Sequence, residues 1–542
     1  MAVPKKDLTF GKEARNYIMI GAEKLARAVG TTLGPKGRNV SLDGLYSGTI
    51  VVHDGVTVAR EIRLVDFREN IGATLIREAA QKTNDKSGDG TTTATVLAFE
   101  MIKQGNSHII AGANPMLMKK GIDTAVKQAI ELLEEIAEPI KGSIDKLVQV
   151  ATVSAADEEI GKLIADAYKK VGKYGVVTVE RGDELGIKIE YKEGMEWDKG
   201  WVHPAFVFRM LDGEPNIRLE AKVEKPLVLI TDYTITSVNE ILPLLTKLVG
   251  SDKKNLFIVC DGLQQEAMAL LAENFAKGKI NVLPVPAPNY GETKRDALQD
   301  LAILTGATFI SKEEGRKLSE VEIKDLGQAD EAVATQDSTV LIGGKGSKED
   351  IKARVAQIEE RLKRADHEII REKLKERLAK LTSGVAVVKI GTSSDFENRE
   401  RTERIKDAIG ATRAAAEQGI VAGGGVALVN ISNKIKLDLP TKEESIGAEI
   451  VKQSLLRPIK LLAENAGLNG DVILNEVLKL QEGFGYSLIT EKYVDMKKEG
   501  IIDPVKVTIS ALQNAASVAG MILTTEAMVT DHELEVKEEV QE

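Results

Sequence analysis

The sequence predicts a multidomain α/β protein in which both chain ends form one mostly helical domain and an α/β domain is inserted between them. Its 542 residues are enough for about three or four domains. Both ends have helical apolar spacing and few aromatic residues, whereas apolar β-rich runs alternate with helices between residues 193 and 385. Because the two ends share this character, we expect them to fold together around the middle.

The overall composition excludes several classes of protein. The net charge of −10, from 73 basic and 83 acidic residues, argues against nucleic acid as the main partner. One cysteine, Cys260, excludes an intrachain disulfide and is typical of a reducing compartment. No apolar run approaches the roughly 18 to 20 residues that span a bilayer, and the start of the chain lacks the apolar region of a secretory signal. We therefore expect a cytoplasmic protein without a membrane partner.

The elements of the first part follow from apolar spacing and from glycine and proline punctuation. Helices are predicted at 12–29, 91–111, 115–137 and 143–172. Short strands are predicted at 40–42, 49–52, 176–179 and 187–191. The first two strands would form a hairpin closed by a turn at Asp54 and Gly55, and the last two would form a strand pair.

The middle and the last part are predicted in the same way. Strands at 226–231, 255–260 and 280–284 alternate with helices at 237–249 and 264–277, which predicts a partly parallel sheet. Residues 349–381 form a charged helical pair with a bend at Asp366 and His367, and its charges are expected to be solvated. Its buried stripe would consist of Val355, Ile358, Leu362, Ala365 and Ile369. A strand at 385–390 and a long helix at 398–418 follow.

The eight residues 88–95, Gly-Asp-Gly-Thr-Thr-Thr-Ala-Thr, are the strongest candidate binding motif. Glycines allow a sharp turn, and the exposed N–H groups and hydroxyls of a helix start can bind an anion such as phosphate. An acid beside a phosphate is otherwise repelled, so Asp89 indicates a Mg²⁺ ion between the two. A Gly-Asp turn followed by an ordinary helix cap fits the same residues and remains an alternative.

A second glycine-rich segment, Thr-Leu-Gly-Pro-Lys-Gly-Arg-Asn at 32–39, leaves a helix. It could lie along a nucleotide, with Lys36 or Arg38 nearby, or it could simply end the helix. It lacks the Gly-Lys-Ser/Thr sequence of a P-loop.

Three acids elsewhere are weaker candidates on their own. Asp54 could be part of the hairpin turn, Asp407 could be a solvated helical residue, and Asp503 could cap a helix or bind ribose hydroxyls. Gly423, Gly424 and Gly425 could form a flexible joint or a close approach to a ligand. Hydrolysis of a phosphoanhydride needs one acid on Mg²⁺ and another that orients water, but spacing alone does not select them.

Taken together, these motifs resemble those of the GroEL-type (group I) chaperonin family. They follow one another in the same order as in that family, from about residue 6 to residue 531. The matching segments are 32–40, 54–62, 88–97, 114–115, 121–123, 411–415, 421–428, 503–506 and 515–530. The resemblance implies an equatorial domain at 1–135 and 418–542, an intermediate domain at 136–192 and 386–417, and an apical domain at 193–385. It also implies an ATP hydrolase that folds non-native polypeptides, built as a homo-oligomer of two stacked seven-subunit rings, with a GroES-type co-chaperonin as partner.

The resemblance also assigns roles to individual residues. Asp89 would hold Mg²⁺, Asp407 would position or activate water with Asp54 in support, and the hinges would be Pro139 with Gly419 and Gly194 with Gly384. The nucleotide-binding set would be Thr32, Leu33, Gly34, Pro35, His53, Asp89, Gly90, Thr91, Thr92, Thr93, Gly424, Ile489 and Asp503. Clients would contact Trp201, Phe206, Leu242, Leu245 and Met268, although these could instead be packing residues.

Several positions depart from the family pattern. His53 replaces a lysine, although a backbone carbonyl contact to K⁺ would survive, and Ser487-Leu488-Ile489 replaces Asn-Ala-Ala near the adenine. Ala272 and Glu273 replace two apical valines, and a carboxylate there would weaken apolar binding. Ser383-Gly384 replaces a Gly-Gly hinge, and an acidic segment at 533–542 replaces a Gly-Met-rich tail. Two rivals are a ring-forming holdase or scaffold with degenerate ATPase, and a plain ATPase or phosphotransferase with a small-molecule substrate.

Overall fold

A computed structural model describes most of the chain. The predicted bend residue Asp366 and the acidic segment 533–542 lie outside the described residues. The described ranges are 6–44, 48–140, 143–172, 175–182, 184–211, 214–217, 220–251, 253–288, 292–365, 367–392 and 394–531.

The chain forms two compact units. The first unit comprises residues 1–166, 181–186 and 390–542, and the second comprises 167–180 and 187–389. The two chain ends therefore share one unit and the middle forms the other, which confirms the predicted multidomain α/β fold class. The three-domain boundaries stay a prediction.

The first unit is mostly helical. Its helices are Gly11–Gly30, Gly55–Glu61, Phe67–Ser87, Thr91–Ile110, Pro115–Ile136, Ile144–Ala155, Glu158–Val171 (to residue 166), Asp395–Gln418, Val426–Ser432, Lys442–Ser454, Arg457–Asn465, Gly470–Val477 and Val505–Leu523. Its strands are Lys6–Phe10, Val40–Gly44, Gly48–Val52, Ile420–Ala422, Phe484–Ser487, Lys492–Asp495, Ile502–Pro504 and Ala527–Asp531. Strands Lys6–Phe10 and Ala527–Asp531 pair antiparallel and join the two ends of the chain.

The helices of the first unit pack closely because small residues lie at their crossings. A side chain on Gly72 would overlap the backbone of Ile18, and one on Gly121 would overlap the backbone of Glu444. The core between these helices consists of Ala, Val, Ile, Leu and Met side chains. Close backbone approach thus compensates for the small number of aromatic side chains in this sequence.

The second unit contains two larger sheets, one of five strands and one of four. One has strands Asn281–Pro286, Asn255–Cys260, Leu227–Thr231 and Phe309–Ile310 in parallel order, with Gly327–Gln328 antiparallel to Leu227–Thr231. The other is antiparallel, in the order Gly194–Trp197, Thr339–Ile342, Glu331–Ala334, Ala221–Glu224. The helices are Val238–Val249, Gln265–Ala276, Glu292–Thr305, Lys348–Arg364 and Glu368–Ser383. This unit also contains two-stranded pairs, which are Thr234–Ile235 with Gly262–Leu263 and Phe208–Leu211 with Glu214–Ile217. In the first unit, Phe484–Ser487 pairs with Lys492–Asp495.

Three local predictions are corrected. The strands Val176–Arg181 and Gly186–Lys192 are not partners, because Val385–Gly391 lies between them in a three-stranded sheet. The hairpin Val40–Gly44 with Gly48–Val52 is present, but Asp54 and Gly55 do not close it, since they start a helix. The charged helical pair is not solvated throughout, because Arg377 is buried and paired with Asp300.

The predicted apolar stripe of that helical pair faces the core of the second unit. Ile358 is buried, and Val355, Leu362 and Ala365 pack against the same core. The side chain of Ile369 lies outside the description.

Candidate functional site

The motif at 88–95 forms a tight turn between two helices. Gly88 ends the helix Phe67–Ser87 with a φ of 70°, and Gly90 precedes the helix Thr91–Ile110 with a φ of 84°. Both values lie in the left-handed region that residues with a Cβ rarely adopt. The two glycines therefore fix Asp89 at the junction, directly before a helix start.

Asp89 is held by two hydrogen bonds. Ser154 Oγ donates to Oδ2 at 2.8 Å, and the Gly90 N–H donates to Oδ1 at 2.5 Å. Burial raises the pKa of Asp89, the two hydrogen bonds oppose that rise, and the nearby charge of Asp54 adds to it. The carboxylate is fixed in position and would be stabilised by a cation.

The threonines form the first turn of the following helix. Since the first helical hydrogen bond runs from Ala94 N–H to the Gly90 carbonyl, the N–H groups of Thr91, Thr92 and Thr93 have no helical acceptor. Thr92 Oγ1 lies 3.4 Å from Thr32 Oγ1, which joins this turn to the segment at 32–35. The turn presents N–H and hydroxyl donors suited to phosphate.

The segment at 32–35 follows the helix Gly11–Gly30. Gly34 adopts a φ of 83°, and the N–H of Gly37 donates to its carbonyl at 2.9 Å. The Arg38 N–H donates to the Thr31 carbonyl at 2.8 Å, which closes the loop. The segment ends the helix, as one interpretation of its sequence predicts, and it also lines the cavity described below, while its contact with a nucleotide stays a prediction.

Asp54 is the N-cap of the helix Gly55–Glu61. Its Oδ1 accepts from the Val56 N–H at 3.2 Å and its Oδ2 from the Thr57 N–H at 2.7 Å. The neighbouring His53 places Nδ1 3.1 Å from Asn39 Oδ1. Burial, followed by the charge of Arg404, lowers the pKa of His53, so the imidazole tends toward its neutral form.

Asp407 lies on the helix Asp395–Gln418, which packs against the Asp89 turn. A Cβ built on Gly410 would lie 2.7 Å from Gly88 Cα. Desolvation raises the pKa of Asp407 well above its usual value, and the charges of Asp54 and Asp89 raise it further. Asp407 is therefore not the solvated helical residue that its local sequence allows.

Asp503 lies on a strand beside the triple glycine. Val421 and Asp503 are partners in the antiparallel pairing of Ile420–Ala422 with Ile502–Pro504. Burial, followed by the charge of Asp89, raises the pKa of Asp503 to about 7. The helix that follows has Pro504 at its N-cap without a side-chain cap, so the alternative of a helix-capping Asp503 is wrong.

The opposite end of the site is apolar. Tyr486 packs edge-on against Tyr493, with ring centroids 5.0 Å apart. Leu488 and Met496 line the same region, and Ile489 is 73% exposed at the tip of the hairpin. This end offers flat and aliphatic surfaces of the kind that contact a nucleotide base.

These elements enclose one cavity of about 1240 Å³ within the first unit. Every residue that the chaperonin resemblance assigns to nucleotide binding or catalysis lines it, whereas Arg38 and Gly423 do not. This set is Thr32, Leu33, Gly34, Pro35, His53, Asp54, Asp89, Gly90, Thr91, Thr92, Thr93, Asp407, Gly424, Ile489 and Asp503.

Sequence reasoning missed other residues of the cavity. Ser154, at the end of the helix Ile144–Ala155, bonds Asp89 but carries no motif that would single it out. Arg404, Glu400 and Glu403 also line the cavity, and their helical spacing from Asp407 was the available signal.

The sequence profile of the TCP-1/cpn60 chaperonin family matches residues 25–533. The chain belongs to this family. A crystal structure of the chaperonin gp146 from the bacteriophage EL 2 (Pseudomonas aeruginosa), determined in the presence of ATP-BeFx, superposes with a TM-score of 0.72. The two chains are 22% identical, and the match covers 97% of this chain and 99% of the other. The predicted chaperonin resemblance is thereby confirmed at the level of family and fold.

The predicted hinges of this chaperonin form two close backbone contacts. Glu138, beside Pro139, and Ile420, beside Gly419, exchange N–H···O bonds of 2.8 and 2.9 Å. In the second unit, Gly384 has a φ of 69°, and a Cβ on it would lie 2.8 Å from the Lys192 carbonyl oxygen. Their role as hinges stays a prediction.

The proposed client-binding residues differ in exposure. Leu242 is 42% exposed, whereas Leu245 and Phe206 are buried in the core of the second unit, so these two are packing residues in this structure. Trp201 and Met268 are half-buried. Leu242 and Val249 lie on a shallow groove of about 200 Å³, which is completed by Leu245, Thr246, Asn274, Lys279 and Ile280.

In the described part of the chain, no helix is long and apolar enough to cross a membrane. No group of three or more His, Cys, Asp or Glu side chains there could hold a metal ion. A Mg²⁺ ion on Asp89 would therefore need phosphate oxygens and water as its other ligands, which is how Mg²⁺ is commonly held.

Proposed function

We propose that this chaperonin is an ATP-dependent chaperone that captures non-native polypeptides and promotes their folding by cycles of ATP binding and hydrolysis. The single observation that carries the proposal is the convergence of Asp54, Asp89 and Asp407 on one cavity that also presents Thr91, Thr92 and Thr93. Three carboxylates around one cavity, beside phosphate-binding donors, are suited to a Mg²⁺-nucleotide.

ATP would lie with its phosphates on the first turn of the helix Thr91–Ile110 and on the segment at 32–35. Asp89 would hold Mg²⁺, which when bound supplies charge neutralisation between the carboxylates and the phosphates. Asp503 would bind the ribose hydroxyls, and the apolar end near Leu488 and Ile489 would contact the base. The presence of ATP-BeFx in the gp146 crystal supports a nucleotide as the ligand. The carbonyl of His53 remains a candidate contact for K⁺.

Asp407 would orient the attacking water and accept its proton. Its raised pKa supports this role, because a more basic carboxylate takes a proton more readily near neutral pH. Asp54 caps a helix with both oxygens and is held in place. Its negative charge would therefore stay near Asp407 and help to keep the pKa of Asp407 raised. Because Asp407 and Asp89 come from distant parts of the sequence, their cooperation requires the Asp407 helix to stay packed on the Asp89 turn.

Client proteins would bind the groove that contains Leu242 and Val249. These side chains are 42% and 46% exposed and line the same groove, and exposed apolar residues that lie together can mark a protein-binding surface. Glu273, on the neighbouring helix, is exposed and paired with Lys277. A GroES-type co-chaperonin, two stacked seven-subunit rings and a cytoplasmic location belong to this proposal.

The rival hypothesis is a ring-forming holdase or scaffold with degenerate ATPase, supported by His53 and by the apolar replacement at 487–489. The intact set of three carboxylates favours hydrolysis over this rival.

The test combines assembly with refolding. Negative-stain images should contain rings with sevenfold symmetry, and a denatured client should recover activity faster with Mg-ATP and K⁺ than with no nucleotide. A client that is captured but released unfolded in both conditions would favour the holdase. Absence of rings would contradict the chaperonin assembly itself.

A further inference from the structure

One side chain that does not line the cavity forms hydrogen bonds at the start of the segment at 32–35. Asn465 is the last residue of the helix Arg457–Asn465 and is half-buried. Its Nδ2 donates to the carbonyl of Gly30 at 3.0 Å and to the carbonyl of Leu33 at 3.0 Å. Asn465 does not line the cavity.

The chemistry of this contact is specific. Both acceptors are backbone carbonyls, so a single side-chain nitrogen needs two hydrogens to bond them together, and an amide supplies both. Gly30 ends the helix Gly11–Gly30, and its carbonyl also accepts the N–H of Leu33 at 3.2 Å. Asn465 therefore adds a second donor to Gly30 and reaches over to the next turn of chain at Leu33, which lines the nucleotide cavity.

The same helix supports the segment by packing as well. Leu462 contacts Gly34 so closely that a Cβ on Gly34 would overlap its side chain, and Leu461 lies 3.2 Å from the position of a Cβ on Gly30. The left-handed conformation favours glycine at position 34, and a larger residue there would also have to displace the Leu462 side chain. The Leu461 and Leu462 side chains limit how closely Gly30 and Gly34 approach this helix. The two hydrogen bonds of Asn465 fix the direction of the Gly30 and Leu33 carbonyls.

We propose that Asn465 is a positioning residue for the nucleotide, because its amide holds the carbonyls of Gly30 and Leu33 in the arrangement that receives ATP. This inference rests on the proposed function. Because the proposed function places the segment at 32–35 against the nucleotide before and during hydrolysis, its displacement should weaken binding more than it slows the chemical step.

The sharpest variant is Asn465→Asp, which keeps the shape of the side chain. At neutral pH its carboxylate has no hydrogen to donate and repels both carbonyls. The matched control is Asn469→Asp, which adds the same charge four residues later. Asn469 accepts the N–H groups of Asp471 and Val472 as a helix N-cap, a role that aspartate performs equally well.

Two measurements decide the inference in the full-length protein. In nucleotide-free protein, hydrogen exchange of a peptide covering residues 30–38 should be at least about ten-fold faster in Asn465→Asp than in Asn469→Asp. The Kd for ADP should rise about ten-fold, while kcat at saturating ATP stays within about two-fold of the wild type.

The pH dependence separates positioning from a general loss of structure. Protonation of the carboxyl group introduced by Asn465→Asp restores one donor. The binding defect of this variant relative to the wild type should therefore shrink as pH falls, whereas the control should show no such recovery. Unchanged exchange or unchanged ADP affinity in Asn465→Asp would overturn the inference. Failure of the wild type to bind ADP would instead overturn the proposed function, and the exchange result would still decide the role of Asn465.

Discussion

Gly88 and Gly410 touch backbone to backbone, with a Cβ on either glycine falling 2.7 to 2.8 Å from the Cα of the other. This contact brings a helix that begins near residue 395 against a turn at residues 88–90. Asp407 precedes Gly410 by almost one helical turn and therefore reaches the same cavity as Asp89. Two glycines, which have no side chains, therefore allow acids from distant parts of the sequence to line the same cavity.

Gly410→Ala tests this contact. The added methyl group must push the Asp407 helix away from Gly88, so turnover should fall by roughly ten- to a hundred-fold. Alanine favours a helix by about 1 kcal/mol over glycine, so loss of the helix cannot explain lower activity. Steady-state phosphate release together with ADP affinity measures the effect. Wild-type turnover in Gly410→Ala would show that the close contact is dispensable.

Asp503 predicts a pH-dependent stability of the nucleotide-free protein. Its pKa is about 7 in the folded state, above the ordinary 3.8, so the ionised native carboxylate is destabilising above pH 7. As pH falls from 7 toward 4, the native state takes up a proton and this penalty disappears. Asp503→Asn should therefore raise the melting temperature by a few degrees at pH 8 and by progressively less toward pH 5.

Asp495→Asn is the control for that comparison. A hydrogen bond from Lys498 lowers the pKa of Asp495, so its carboxylate is stabilising and its removal should leave the melting temperature unchanged or slightly lower at pH 8. Thermal melts at pH 5, 6, 7 and 8 in the presence of a chelator supply the data. A constant difference between Asp503→Asn and the wild type at all four pH values would contradict the assignment.

The apolar end of the cavity predicts weak discrimination between purine bases. Leu488, Met496 and Ile501 have no side-chain group that could distinguish an amino from a keto substituent. The KM for ITP should lie within about three-fold of that for ATP, and Leu488→Asn should widen the difference. A KM for ITP more than about thirty-fold higher in the wild type would mean that backbone groups identify the base.

The groove of the second unit predicts where clients bind. Leu242→Ser should weaken capture of a denatured client at least about five-fold, because the variant lacks the apolar area that Leu242 would bury against the client. Ile110→Ser removes a 62% exposed apolar residue from the first unit and serves as the control. Capture is measured by competition with spontaneous aggregation, while phosphate release should be unaffected. Equal effects of the two substitutions would remove the groove from the proposal.

Much of the first unit and its site could be predicted from sequence because the signals are local. Gly88 and Gly90 each adopt a left-handed conformation, and the helix start at Thr91 follows directly, so eight residues define most of the proposed phosphate site. The hairpin turn predicted at Asp54 is wrong because aspartate before glycine suits both a turn and an N-cap.

Other features depend on contacts between distant segments. Ser154 and Asn465 act on residues far away in the chain, and nothing in their own surroundings marks them. Phe206 and Leu245 are apolar whether they lie in a core or on a binding surface, and only the tertiary packing shows that both are buried. The strand Val385–Gly391 likewise separates two strands that are neighbours in sequence.

The central claim is that Asp407 acts on a nucleotide held by the turn at Asp89. Phosphate release at saturating Mg-ATP and K⁺, measured beside the Kd for ATP, tests it most directly in the wild type and in Asp407→Ala. We expect the variant to bind ATP within about three-fold of the wild type and to release phosphate at least about a hundred-fold more slowly. Wild-type turnover in Asp407→Ala would contradict the account.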